Sequence, residues 1–392
     1  MTLPLSTRLA LRQLAFLGPK LIGPLAGFGV AIVLVFTQLG FENALYASAT
    51  GLARAVAADL VVVNRQFATM AFPQPWLDRS ILLEAAAVPG VAAVAPLQLA
   101  TLQVVTPDGG MASAWVVGVD PDAPALAISG IAAAMPRLRA TGTAVIDSRS
   151  REGYRDVVAT LAGGAPAAVV LASPNRSIGT RVDLVGLFTL GPTFFIDGTL
   201  VMSDFTLRRV FGTPAARMSL GLVTVAPGHA APSVAGALAR RLGDEARVFT
   251  KAEFVARESD YYRTNTPIGI VFRIGVVVGL VIGAVFVGQT LAAIVEASLS
   301  EYAVLKALGH ADGLFRRTVA QVGLIIAGLV FPPAVAAALA IYAVAGGLTG
   351  LDLALDGRSL LTVLALTLAT MAVAVLATLG RLRRADPLDL FA

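Results

Sequence analysis

Cysteine is absent from all 392 residues, which excludes disulfides, thiolate metal sites and cysteine nucleophiles together. Charge is scarce: 14% of residues are charged and 56% are hydrophobic, against about a quarter charged in soluble domains. That balance is a membrane composition. Lysine is confined to Lys20, Lys251 and Lys306, so the net charge of +5 rests on arginine. Histidine occurs only as His229 and His310, and neither an HExxH pattern nor a Cys/His spacing exists. No Walker-type glycine–lysine phosphate loop occurs, so the chain is not expected to bind ATP in that manner. The stretch GTAVIDSRSREG (142–153) groups Asp147, Ser148 and Ser150 with no base nearby to activate a serine. It reads as a strand ending in a polar turn, and an enzyme is not expected.

Long uncharged runs are what the chain does have. Four are near the roughly 20 residues that cross a bilayer: Leu21–Gly40, Ile274–Val295, Val319–Ala345 and Leu360–Leu379. Pro332 and Pro333 interrupt the third, where a kink is expected. Basic residues cluster at Arg8, Arg12 and Lys20, at Lys306, Arg316 and Arg317, and at Arg381, Arg383 and Arg384. All three clusters orient both termini and the 296–318 loop toward the cytoplasm. The basic excess is therefore read as membrane topology, with no nucleic-acid partner. ALYASA (44–49) has the look of a leader cleavage site, but the apolar run before it exceeds the roughly 7–15 residues of a leader core.

Between the first two runs the pattern changes to short β-type stretches with turn signals. DLVVVN (59–64), LQLATLQVV (97–105), AWVVGV (114–119), TAVID (143–147), RVDLVGLFTL (181–190), TLVMSD (199–204) and LGLVTVA (220–226) read as strands, and PDGG (107–110) as a hairpin turn. Residues 204–211 and 231–242 have helical spacing. Residues 41–60 and 251–266 are expected to be helical, either as stalks continuous with the flanking spans or as two short amphipathic helices lying on the domain. The fold class is membrane α-helical, with four transmembrane helices and a large α+β extracytoplasmic domain inserted after the first. The expected division is an N-terminal segment 1–20, span one 21–43, the α+β domain 44–266, span two 267–297, a helix and loop 298–317, span three 318–345, an outer loop 346–358, span four 359–380 and a tail 381–392.

Within the spans, Gly275, Gly279 and Gly283 repeat every fourth residue, a face on which helix backbones approach closely. Its partner is either span one, where Gly23 and Gly27 share the spacing, or a second copy in a dimer. Gln38, Gln289 and Glu296 fall near interfaces, and no charge sits at mid-bilayer, so the acid relay of a proton-driven carrier is missing. The 301–309 stretch, EYAVLKALG, has Val304, Ala307 and Leu308 at helical spacing and Gly309 as a terminator. Glu301 early and Lys306 late suit the helix macrodipole.

EYAVLKALG resembles the coupling-helix motif of the FtsX/MacB-type ABC transporter permeases, whose four-span layout matches along the whole chain. The stretches 27–50, 190–212 and 381–391 resemble the DevC-like (heterocyst glycolipid exporter type) branch. This resemblance implies a homodimeric permease in a bacterial inner membrane that transmits force from a separate ABC ATPase. The coupling helix would comprise Glu301, Tyr302, Val304, Leu305, Lys306, Leu308 and Gly309, with Tyr302, Leu305 and Leu308 supplying apolar contact and Glu301 and Lys306 setting register. It further implies ATP and Mg bound by the partner ATPase rather than by this chain, a periplasmic membrane-fusion adaptor, an outer-membrane channel of TolC type, and a lipid, glycolipid or other hydrophobic substrate drawn from the membrane lipid. Relatives that act as signal relays to cell-wall hydrolases, or that release lipoproteins, are the alternatives.

Overall fold

The computed structural model describes residues 4–71, 75–123, 125–172, 179–191, 193 and 196–384. The chain divides into two compact units: one runs through Asn43 and resumes at Ile268–Leu348 and from Leu353 on, the other is Ala44–Pro267 with Thr349–Asp352. Helix α1 (Leu5–Leu17) and a 3₁₀ turn (Gly18–Leu21) lead into α2 (Ile22–Ala49), and α3 (Gly51–Ala55) follows after one residue.

Next come β1 (Leu60–Asn64), β2 (Leu77–Asp78), α4 (Ser80–Ala86), β3 (Val91–Val105), β4 (Met111–Val119), α5 (Ile131–Leu138), β5 (Thr143–Asp147) and α6 (Arg155–Ala162). Then follow β6 (Ala167–Ala172), β7 (Thr180–Phe188), β8 (Gly198–Ser203), α7 (Asp204–Phe211), β9 (Arg217–Met218), β10 (Leu220–Val225), α8 (Ala231–Leu242), β11 (Ala246–Thr250) and α9 (Lys251–Asn265). Nine strands form one mixed sheet in the order β11-β1-β10-β3-β4-β8-β5-β7-β6. Because β3 also pairs with β6, from Gln103↔Ala172 to Val105↔Val170, six strands from β3 round to β6 close on themselves. Alternation sends Leu102, Val104, Ala114, Val116, Ile146, Leu171, Leu184 and Leu200 into the ring's interior core.

Outside the ring, β10, β1 and β11 extend as a wing. Leu60 and Val62 face one core with α4 and α8, while Val61 and Val63 face another with Leu52, Phe67 and Phe254. Both faces of β1 are thus buried, which is why it reads as an unbroken apolar run.

The remaining helices are α10 (Ile268–Ala297), α11 (Leu299–Ala307), α12 (Asp312–Thr349) and α13 (Gly357–Arg384). Among the described residues, four helical stretches are long and apolar enough to cross a membrane: Leu5–Ala49, Ile268–Ala297, Gly313–Thr349 and Gly357–Gly380. The chain is a multi-pass membrane protein with a large α+β domain inserted after its first span. At about 1.5 Å per residue α10 measures roughly 45 Å, longer than the hydrocarbon core. Val271, Ile274, Val278, Val281 and Val285 stand exposed along it, as lipid-facing residues must.

Both stalk expectations need correction. Past the first span the helix stops at Ala49, resumes only as far as Ala55, and gives way to β1. The second stalk, α9, does not run into α10: Thr266 is extended, at φ −120° and ψ 149°, and Pro267 follows. A residue before proline is pushed out of the helical region by the ring. Strand β3 starts at Val91, ahead of the expected 97, and α12 begins within the expected 298–317 loop.

Candidate functional site

Helix α11 follows α10 after a break at Ser298 and is closed by glycine. Gly309 has φ +89°, and His310 N–H donates to the Leu305 carbonyl at 3.1 Å while Leu308 N–H donates to Val304. That is the six-to-one bond of a Schellman close, which needs a left-handed residue at position 309. The helix is two-sided. Tyr302 is buried, its ring centroid 4.9 Å from that of Phe315, and its hydroxyl shares a hydrogen bond with the Gln13 amide of α1 at 2.9 Å. Leu299 and Leu305 pack beside it in the same core. On the other side Glu301 is exposed, Val304 is 60% exposed and Leu308 73% exposed.

Tyr302 is therefore an inward anchor rather than an outward contact, and Leu305 is half-buried. The exposed apolar pair is Val304 and Leu308. Positions 301, 304 and 308 stand at i, i+3 and i+7, the spacing with which a helix presents one face to a groove. The Lys306 side chain lies outside the described residues. Arg316 and Arg317 are exposed on the first turns of α12, beside Phe315.

The glycine face of α10 packs on α2 of the same chain. A Cβ at Gly279 would meet Val35 Cγ2 at 2.9 Å and the Ala31 carbonyl at 3.4 Å, and one at Gly283 would meet Ala31 and Phe28. At Gly275 it would run into the Gln38 side chain. From the other direction, Gly27 makes room for the Phe286 ring. Two helices thus interlock through small residues on each. Gly23 has nothing near it, so only half of the α2 spacing is used.

In the inserted domain, Thr250 ends β11 and caps α9: it accepts from Glu253 N–H, and the Glu253 carboxylate accepts from Thr250 N–H at 2.8 Å. These backbone and hydroxyl bonds hold Glu253 below the usual carboxylate range. Two turns on, Glu258 is buried. Its carboxyl accepts from Thr69 Oγ1 at 2.7 Å and from Met70 N–H at 3.1 Å. Desolvation pushes it up to about 7, against the opposing pull of those bonds and of Arg257. Tyr46 and Ala49, at the end of α2, meet Tyr262 of α9, and the Arg263 guanidinium lies 5.3 Å over the Tyr46 ring. The two ends of the insert are thereby tied together.

No family model matches the sequence, and no curated protein matches it. Among solved structures, the chain is similar to the extracellular domain of the noncanonic ABC-type transporter YknZ from Gram-positive bacteria. That match has 14% identity and a TM-score of 0.34, over 49% of this chain and 99% of that one. It is also similar to the periplasmic region of MacB from Actinobacillus actinomycetemcomitans, at 12% identity and a TM-score of 0.34, over 51% of this chain and 91% of that one.

The Asp147 turn is structural. The carboxylate accepts from the amides of Arg149, Leu190 and Gly191 at 2.7–3.1 Å, pinning β5 to the loop after β7. Sequence reasoning missed the Gln13 anchor, because an isolated glutamine in a basic segment carries no signal of its partner. It missed Glu258 because ARESDYYR reads as a solvated helix. Of the stretches 190–212 and 381–391, Pro192, Phe194, Phe195 and residues 385–391 lie outside the described residues.

Proposed function

We propose that the chain is the permease subunit of an ATP-driven transporter of the MacB/FtsX type, driven through α11 by a separate ABC ATPase. The observation that carries this reading is the division of α11 into an anchored face and a free one. Tyr302 fixes the helix to α1 and α12, so a push on the free face is delivered to the spans rather than lost in a loose loop. Glu301, Val304 and Leu308 form that free face, sized for a shallow groove on a soluble partner.

ATP and Mg belong to the partner ATPase. Basic residues at positions 8, 12, 20, 316 and 317 are read as cytoplasmic anchors, with both termini on the cytoplasmic side of a bacterial inner membrane. Two copies would work together, with the inserted domains meeting a periplasmic adaptor and an outer-membrane channel of TolC type. The substrate is a lipid, a glycolipid or another hydrophobic molecule. The glycine face of α10 is occupied by α2, so the dimer contact is assigned to other helix surfaces.

Copurification tests the reading. Leu308→Asp and Val304→Asp are expected to reduce the ATPase recovered with the chain by about tenfold or more, as loss of an interface hot spot does. Membrane insertion is expected to be normal, since neither side chain is buried. Full recovery of the ATPase with both variants would remove the coupling assignment.

A further inference from the structure

A second site lies far along the chain from α11. The end of α2, α3, the turn after β5, the loop after β7 and the segment following α12 enclose a cleft of about 120 Å³. Its walls are largely apolar, with Leu52, Leu190 and Leu351 among them, yet two guanidinium groups line it, those of Arg54 and Arg149.

Both arginines are positioned by backbone. Arg54 donates to the Ala47 carbonyl, seven residues earlier. Arg149 donates to the Gly350 carbonyl at 2.8 Å, and its guanidinium passes close over Gly191, where a Cβ would stand 3.7 Å from it. A guanidinium has five N–H donors, so each keeps donors for a further acceptor. The one acid on the lining, Asp352, is 3.8 Å from Arg149 with its side chain 91% exposed, and leaves the cleft with a net positive charge. Asp147, behind the wall, spends its oxygens on three backbone amides.

The third feature is Thr193. It lines the same cleft, is 4% exposed, and its hydroxyl has no hydrogen-bond partner among the described residues. Buried hydroxyls are nearly always satisfied, and one left over asks for an acceptor. Two forked cations and a spare hydroxyl between apolar walls fit the oxygens of a phosphate whose remaining substituent is carbon-rich. By chain continuity the cleft sits where two helical stretches long and apolar enough to cross a bilayer end, at Ala49 and Thr349.

We infer that this cleft binds a phosphate group, and that it takes it from the headgroup of an anionic lipid. The binding claim stands on the cleft alone; taking that lipid as cargo rests on the permease reading above.

The full-length chain, purified in detergent without any ATPase, is mixed with vesicles of phosphatidylglycerol or of neutral phosphatidylcholine, and retained lipid is measured. Arg54→Gln and Arg149→Gln are each expected to lower phosphatidylglycerol retention by about tenfold, with phosphatidylcholine unaffected. Thr193→Val, which removes only the hydroxyl, is expected to lower it by a smaller factor while the thermal midpoint holds. This variant keeps the test open should loss of the Arg149–Gly350 bond harm folding. Inorganic phosphate is the second arm. If it fails to compete at millimolar concentration, the lipid is the source; if it competes fully, the source is a free anion. Unchanged retention in Arg54→Gln and Thr193→Val overturns the site. Failure here leaves coupling through α11 intact, and failure of ATPase copurification leaves this result intact.

Discussion

Glu258 is a carboxyl that the fold keeps from water, and its proton is the price. Its folded value of about 7 lies above the ordinary 4.5, so the native state holds the proton more tightly than the unfolded chain. The stability from this group is fully present at low pH and is lost as pH rises from about 4.5 to about 7, by roughly 3 kcal/mol. Glu258→Gln is expected to flatten that slope. The variant should melt higher than wild type at pH 8 and about equally at pH 5, and exchange at the Met70 amide should slow at the higher pH. An identical slope in both proteins would clear Glu258 of the effect. At Gly279 the constraint is steric. Leucine there must displace Val35 and press on the Ala31 carbonyl, a misfit worth about 1–3 kcal/mol or more. Gly288 on the same helix has nothing within 4 Å. Thermal unfolding in detergent is expected to fall for Gly279→Leu and hold for Gly288→Ala; the reverse order would mean the two helices are not interlocked here.

Among the elements, α9 has the most local definition. Thr250→Ala removes the hydroxyl half of its capping box and is expected to cost about 1 kcal/mol, read as a drop in the thermal midpoint. Serine should restore it. Elements were legible in the sequence where periodicity was clean: TAVID became β5, and α7 and α8 have the ranges that their apolar spacing set. Others were hidden by composition. The start of β3 is alanine-rich and contains Pro96, β6 is an alanine–valine run with no alternation to read, and α5 carries Pro136. Helix α11 was visible, but its inward side was not. Val304, Leu305, Ala307 and Leu308 make it apolar nearly all round, and only the contacts with Gln13 and Phe315 decide that Tyr302 turns in. The break between α9 and α10 was written in the Thr266-Pro267 pair.

Across the whole molecule, the lack of cysteine makes topology directly testable. Single cysteines at Leu308 and at Asp108, on the exposed β3–β4 turn, would be the only thiols present. With a membrane-impermeant maleimide on intact cells, Asp108→Cys is expected to label and Leu308→Cys only after the membrane is opened. Labelling of Leu308→Cys but not of Asp108→Cys in intact cells would reverse the orientation assigned from the arginines, and labelling of both would remove α10 as a span between them. Closure of the strand ring could not be foreseen, because β3 and β6 are joined by residues with no local claim on each other. It has a structural result beyond packing. Among the described residues, every strand of the large sheet except β11 has neighbours on two sides. A guest polypeptide that attached by lengthening the sheet would thus have one berth, alongside Ala246–Thr250, and the last rung of that berth is the residue that caps α9.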